Sequence, residues 1–208
     1  MSFHIVDSVL NVLDGTTDNV SDKNILDDID SDCNIVKDMF NSNCQYYNEE
    51  SFANLLQGTF GLKDSFSILH HNIRSIPKNF AKLQDYLECI DFKFSIIGIS
   101  ETWHTDVTCD LYKLDNYNCT NVYRCNRTGG GVSLYISKDI VYKERRDLKL
   151  TSDGSDYLFI EIDGRNIRQK HNVIIGIIYR PPNTSLPNFV SEISNLLSAI
   201  KTEKNHCI

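Results

Sequence analysis

With 208 residues, 41 % hydrophobic and 24 % charged, the chain suits one ordinary globular domain, with or without a tail. Its apolar runs fall far short of the roughly 20 residues a membrane span needs, and its N-terminus lacks the basic and apolar segments of a signal peptide. The net charge of −7 is unevenly spread: residues 1–64 carry −9 and the rest +2, so the acidic total does not exclude a nucleic-acid partner.

Residues 1–40 are rich in Asp, Asn and Ser around Asp27-Asp-Ile-Asp-Ser-Asp32, a composition expected to stay solvated and mobile. Residues 44–57 read as a short helix with Phe52, Leu55 and Leu56 on one side, closed by Gly58 and Gly61. The boundary is set near residue 64: an acidic, largely disordered leader over 1–64, then a domain over 65–208. The seven cysteines are odd in number and contain no CxxC, so they are expected to be free thiols in a reducing compartment.

From Phe66 the pattern becomes regular. Phe66–Asn72 is predicted to be a strand. The helix predicted over 78–91 has Phe80, Leu83, Leu87 and Ile90 on one face, with Pro77 just outside its start. Phe94–Ile99 is apolar without alternation, as in a strand buried on both faces, and completes a right-handed βαβ unit. Short strands follow around Tyr117–Arg124, Gly130–Ser137, Tyr142–Leu150, Asp156–Asp163 and Asn172–Tyr179, with turn residues that predict antiparallel hairpins. Residues 186–203 form an amphipathic helix with Phe189, Ile193, Leu196, Leu197 and Ile200 inward, and Asn205–Ile208 lead into a further strand. The fold class is α/β, a layered sheet-and-helix architecture.

Three strand ends carry polar groups: His71-Asn72, Glu101 and Tyr179-Arg180. Taken singly, a strand-end asparagine usually caps a turn and a tyrosine usually packs. Taken together they offer a hard oxygen donor for Mg²⁺, an amide to orient it, and a phenol or guanidinium to stabilise charge on a leaving oxygen. The stretch Arg127-Thr-Gly-Gly-Gly-Val132 lacks the Lys-Ser/Thr of a P-loop and opens a strand, so it reads as a tight turn with Arg127 facing a ligand. His70, His71 and His104 have no zinc-ligand spacing and are expected to be satisfied or solvent-facing.

His71-Asn-Ile-Arg-Ser75, Ile96-Ile-Gly-Ile-Ser-Glu-Thr-Trp103, Arg127-Thr-Gly-Gly-Gly-Val-Ser-Leu-Tyr-Ile136 and Ile178-Tyr-Arg-Pro-Pro-Asn183, in that order, resemble the endonuclease/exonuclease/phosphatase superfamily. The resemblance runs from about Phe66 to the C-terminus and is greatest to endonucleases of non-LTR (LINE-type) retrotransposons. It implies a DNase I-like two-sheet sandwich flanked by helices. The implied activity is Mg²⁺- or Mn²⁺-dependent nicking of DNA, in the nucleus, to expose a 3′-OH for an associated reverse transcriptase. Carried over by position, Asn72 and Glu101 are implied as metal-site residues and Tyr179 as a catalytic residue near the scissile phosphate. Asn183, Arg180 and Arg127 are implied as substrate-binding residues. Arg74 stands where several repair-type relatives carry an acidic residue, which argues against a repair apurinic endonuclease. The family's Gly-Asp-Phe-Asn-like and Ser-Asp-His-like segments do not occur before Ile208. The sequence is therefore expected to be the N-terminal, C-terminally truncated part of such a domain, with little nuclease activity alone. The alternatives are a non-catalytic retroelement remnant or binding module, and a phosphatase or phosphodiesterase of the same superfamily.

Overall fold

A computed structural model describes residues 66–125, 129–150, 154–202 and 206–207, together with Asn54. The predicted leader helix, apart from Asn54, and Arg127 and Asp153 lie outside the described residues. The elements are β1 (Ile68–Asn72), α1 (Ile76–Ile90), β2 (Ile96–Ser100), β3 (Tyr117–Val122), β4 (Val132–Ser137), β5 (Tyr142–Glu144), β6 (Asp156–Ile162), β7 (Val173–Tyr179), α2 (Leu186–Thr202) and β8 (His206–Cys207). They form two four-stranded sheets with strand orders β1-β2-β4-β3 and β5-β6-β7-β8.

Each sheet has one parallel pair, β1/β2 and β7/β8, made by a helical crossover; the other pairs are antiparallel. The reason for the continuous apolar runs is visible in β2. Ile97 and Ile99 pack under α1 with Leu83, Ile90 and Phe94, while Ile96 joins the core between the sheets. On that second face Gly98 leaves room for Ile177, whose Cδ1 would lie 3.2 Å from a Cβ there. The inter-sheet core is Ile96, Val132, Leu134 and Ile136 against Leu158, Ile160, Ile162, Val173, Ile175 and Ile177. The outer face of the second sheet, Phe159 and Ile174, meets Ile200 of α2. The result is a mixed α/β sandwich: helix, sheet, sheet, helix. No helix among the described residues is long and apolar enough to cross a membrane.

Several boundaries differ from the sequence expectation, each for a local reason. The helix α1 begins at Ile76, two residues earlier than expected, with Pro77 inside its first turn, where a missing N–H costs nothing. The strand β2 begins at Ile96; Ser67 and Ser95, before β1 and β2, exchange backbone N–H to side-chain Oγ hydrogen bonds at 3.1 Å each. Only Tyr142–Glu144 of the expected Tyr142–Leu150 strand is extended, because Arg145 turns the chain, with Leu148 N–H donating to its carbonyl at 3.2 Å. On α2 only Ile200 is fully buried; Phe189, Ile193, Leu196 and Leu197 are half-buried.

Candidate active site

The parallel register of β1 and β2 sets Asn72 beside Ser100, so the next residue, Glu101, leaves the sheet next to the Asn72 amide. Asn72 Nδ2 donates to Glu101 Oε1 at 3.0 Å. The Asn72 amide oxygen accepts the Arg74 N–H at 3.3 Å, in the short-range turn that asparagine favours.

The backbone around Glu101 is held from two sides. Ser75 N–H donates to Glu101 O at 2.8 Å and Ile76 N–H to Thr102 O at 2.9 Å, while Thr102 and Trp103 N–H donate to Gly131 O (3.2 Å) and Gly130 O (3.0 Å). Glu101 and Trp103 are both in the left-handed region, with φ of 54° and 55°. Non-glycine residues there cost of order 1 kcal/mol each and persist where surrounding bonds over-determine them, often at functional positions.

The second sheet brings its own edge to the same place. In the antiparallel register of β6 and β7, Asp156 is opposite Tyr179. Asp156 and Arg124 form a nearly buried bidentate pair, Arg124 Nε to Oδ1 at 2.8 Å and Nη2 to Oδ2 at 2.6 Å. Arg124 Nη2 also donates to Gly154 O, and Asp156 Oδ2 accepts Gly131 N–H at 2.8 Å. The Arg124 guanidinium lies 5.8 Å from the centre of the Tyr179 ring. Burial first, and then the negative charge of Glu101, push the Tyr179 phenol above its ordinary pKa, with Arg124 opposing. The phenol is therefore protonated at neutral pH.

The Gly130-Gly131 pair makes this meeting possible. Both have positive φ (73° and 83°). A Cβ at Gly130 would fall 2.5 Å from Asp156 Oδ2 and 2.6 Å from Arg124 Cζ, and one at Gly131 would fall 2.5 Å from Thr102 Oγ1. The stretch is a clamp between the Glu101 loop and the Arg124–Asp156 pair, more than the tight turn expected from sequence.

Of the residues singled out from the sequence, the fold thus assembles Asn72, Glu101 and Tyr179 at one end of the sandwich. Arg180 is directed into its own loop: Nη1 donates to Thr184 O at 3.1 Å and the guanidinium lies 6.0 Å from the Phe189 ring centre. Asn183 is exposed in the turn before α2. His104 is neither satisfied nor solvent-facing. It is 3 % exposed, and neither ring nitrogen makes a hydrogen bond of ordinary geometry, although the Thr108 backbone still favours its charged form. Sequence reasoning missed Arg124 and Asp156. The available signal was weak: Asp156 opens an apolar strand just as Asn72 closes one, at a strand end where a charge has no reason to be buried unless paired.

No protein-family model matches the sequence, and no curated protein matches it. Among solved structures the chain is similar to the endonuclease domain of TRAS1, a telomere-specific non-LTR retrotransposon, at 12 % identity and TM-score 0.46, covering 64 % of this chain and 52 % of that one. It is similar also to AP endonuclease LMAP from Leishmania major, at 16 % identity and TM-score 0.48, covering 64 % and 46 %. The human Nocturnin catalytic domain with bound sulfate anion gives 12 % identity and TM-score 0.45, covering 64 % and 58 %. The chain spans about half the length of the solved structures it matches.

Proposed function

We propose that Asn72, Glu101 and Tyr179 belong to the active site of a divalent-metal-dependent phosphodiesterase that nicks DNA. The observation that carries this reading is the convergence itself: a carboxylate oriented by an amide, a protonated phenol and a fixed guanidinium, supplied by ends of both sheets. The donor chemistry fits a hard cation that keeps several waters and needs only one or two carboxylates. Among the described residues no three His, Cys, Asp or Glu side chains are grouped to hold a metal ion, so a closed site of the zinc type has no donors there. Glu101 would hold Mg²⁺ or Mn²⁺, with Asn72 beside it, and the ion would polarise a phosphate oxygen.

The chain's own groups then divide the remaining work. Tyr179, protonated at neutral pH, donates a hydrogen bond to a phosphate or leaving oxygen as charge develops. Arg124, held by Asp156 and Gly154, keeps a positive charge against the Tyr179 ring. Arg127, Arg180 and Asn183 are proposed to contact the substrate backbone.

None of these groups is free to act as general base. Both Asp156 oxygens are engaged, and the Tyr179 proton is firmly held. Catalysis by these groups alone is therefore expected to be slow, since acid–base catalysis is worth roughly 10²–10⁴-fold. DNA, nicked to expose a 3′-OH in the nucleus, is the substrate favoured by the motifs' resemblance to non-LTR endonucleases.

The test pairs Mn²⁺ binding, followed by electron paramagnetic resonance, with nicking of supercoiled plasmid in Mg²⁺. Binding and any nicking should both vanish in Glu101→Gln at unchanged far-UV circular dichroism. Undiminished Mn²⁺ binding by that variant would overturn the assignment.

A further inference from the structure

The end of the sandwich opposite the candidate site carries a basic loop with no assigned role. Between β6 and β7 the sequence Gly164-Arg-Asn-Ile-Arg-Gln-Lys-His171 has three cationic side chains and no acid. The loop is a built structure. Asp163 caps it, accepting Arg165 N–H at 3.0 Å, and Gln169 N–H closes it onto Gly164 O at 2.7 Å. Asn172 Oδ1 accepts Gly164 N–H at 3.3 Å, and a Cβ at Gly164 would fall 2.1 Å from His171 O. Ile167 anchors the loop on the inter-sheet core.

Arg165 pairs with Asp163, whereas Arg168 and Lys170 are exposed with no ion-pair partner among the described residues. Two cations are thus presented on a backbone held by its own hydrogen bonds, so that binding has chiefly their side chains left to order.

The same end is where the leader joins the domain. Phe66 precedes β1 and packs against the same core cluster as Ile167. The strands β1 and β7 both start at this end, since both finish at the candidate site, at Asn72 and Tyr179. Residues 1–64 carry −9, with their densest acidic run at Asp27–Asp32, some 34 residues before Phe66. A 34-residue tether reaches about 30 Å, whether taken as coil throughout or with the expected 44–57 helix of about 21 Å in it, enough to cross one end of a domain whose radius of gyration is ~15 Å. Tethering raises the local concentration of the acidic run to the millimolar range, where weak exposed pairs suffice for occupancy.

We propose that the acidic run Asp27–Asp32 docks in cis on the 164–171 loop, against Arg168 and Lys170. The bound leader lies at the far end of the sandwich and leaves the Asn72–Glu101–Tyr179 end uncovered. The inference stands on charge and placement and does not depend on the proposed chemistry.

Zero-length carbodiimide cross-linking of the full chain, read by peptide mass spectrometry, tests it. At low salt Lys170 should join Asp27, Asp28, Asp30 or Asp32 within one polypeptide, in preference to the exposed Lys78 and Lys82. The yield should fall by about fivefold or more in 0.5 M salt, where screening acts within a few ångströms. Arg168→Glu, which keeps Lys170, should lower it similarly. Equal yields at Lys78, Lys82 and Lys170, or a yield indifferent to Arg168→Glu, would overturn the docking. As a second measurement, changing Asp27, Asp28, Asp30 and Asp32 together to Asn should speed acetylation of Lys170 about threefold. Unchanged acetylation, or protection of Lys170 by duplex DNA to the same degree in both proteins, would assign the loop to another partner and also refute the proposal.

Discussion

Asn72 donates its side-chain amide to Glu101 Oε1 at 3.0 Å, joining the ends of two parallel strands. Its own oxygen is taken by the Arg74 N–H, so both ends of the amide are used and its orientation is fixed. A carboxylate held this way meets an ion without first having to order itself. Asn72→Ala should therefore weaken Mn²⁺ binding by about 10–100-fold, the usual cost of losing an outer-shell partner. Glu101→Gln should abolish binding. Equal affinities for wild type and Asn72→Ala would show that Glu101 needs no such support.

The three consecutive glycines before β4 differ in what surrounds them. All have positive φ, but a Cβ at Gly129 would come no nearer than 4.0 Å to Trp103 Nε1, whereas one at Gly131 would collide with Thr102 Oγ1 at 2.5 Å. Gly129→Ala should cost about 1 kcal/mol, the strain of the left-handed conformation. Gly131→Ala should cost about 3 kcal/mol or more, strain plus displacement of the 101–103 backbone. Urea denaturation of the two variants orders them. A Gly131→Ala variant as stable as Gly129→Ala would mean the clamp has slack.

The strands and the meeting of their polar ends were readable because the apolar runs of β2 and β7 stop abruptly at Ser100 and Tyr179, and β1 passes from Ile68-Leu69 into His70-His71-Asn72. A strand buried on both faces must expose its first polar residue where the sheet ends. Sheet order was not readable: β4 inserts between β2 and β3, and β5 crosses to the second sheet, without any change in local pattern. Arg124 and Asp156 escaped notice because a buried pair 32 residues apart leaves no local signature. Nη1 of Arg180 donates to Thr184 O over the Pro181-Pro182-Asn183 segment, a contact that the apolar pattern does not announce.

The Arg124–Asp156 pair should be costly to break and cheap to remove. The two side chains are 14 % and 8 % exposed, so Arg124→Met leaves a nearly buried carboxylate with Gly131 N–H as its remaining donor among the described contacts. Losing one partner of a buried pair costs about 3–5 kcal/mol. Adding Asp156→Asn removes the stranded charge while keeping an acceptor for Gly131 N–H. The double variant should therefore recover most of the loss. A double variant no more stable than Arg124→Met, measured by urea denaturation, would place the energy elsewhere.

His104 supplies a pH dependence whose sign follows from its surroundings. The ring is buried beside Tyr112, at a centroid distance of 6.1 Å, with both nitrogens unpartnered. Burial lowers its pKa below 6.5. The charge of Asp110 and the backbone of Thr108 act in the opposite direction and are outweighed. The folded state thus binds fewer protons here than the unfolded chain once the pH drops below about 6.5, and stability must fall with pH through that window. The fall levels off below the folded-state pKa, where both states are protonated. Burial lowers the pKa of His71 as well, so it contributes with the same sign. His104→Leu removes two unsatisfied nitrogens and one titrating group. It should be close to neutral in stability at pH 7.5. The loss of stability between pH 7.5 and 5.5 should shrink in the variant without vanishing, because His71 remains. Urea titrations of both proteins at the two pH values decide it. A wild type that gains stability at pH 5.5, or a variant with an undiminished loss, would mean that a buried neutral His104 does not govern the acid limb.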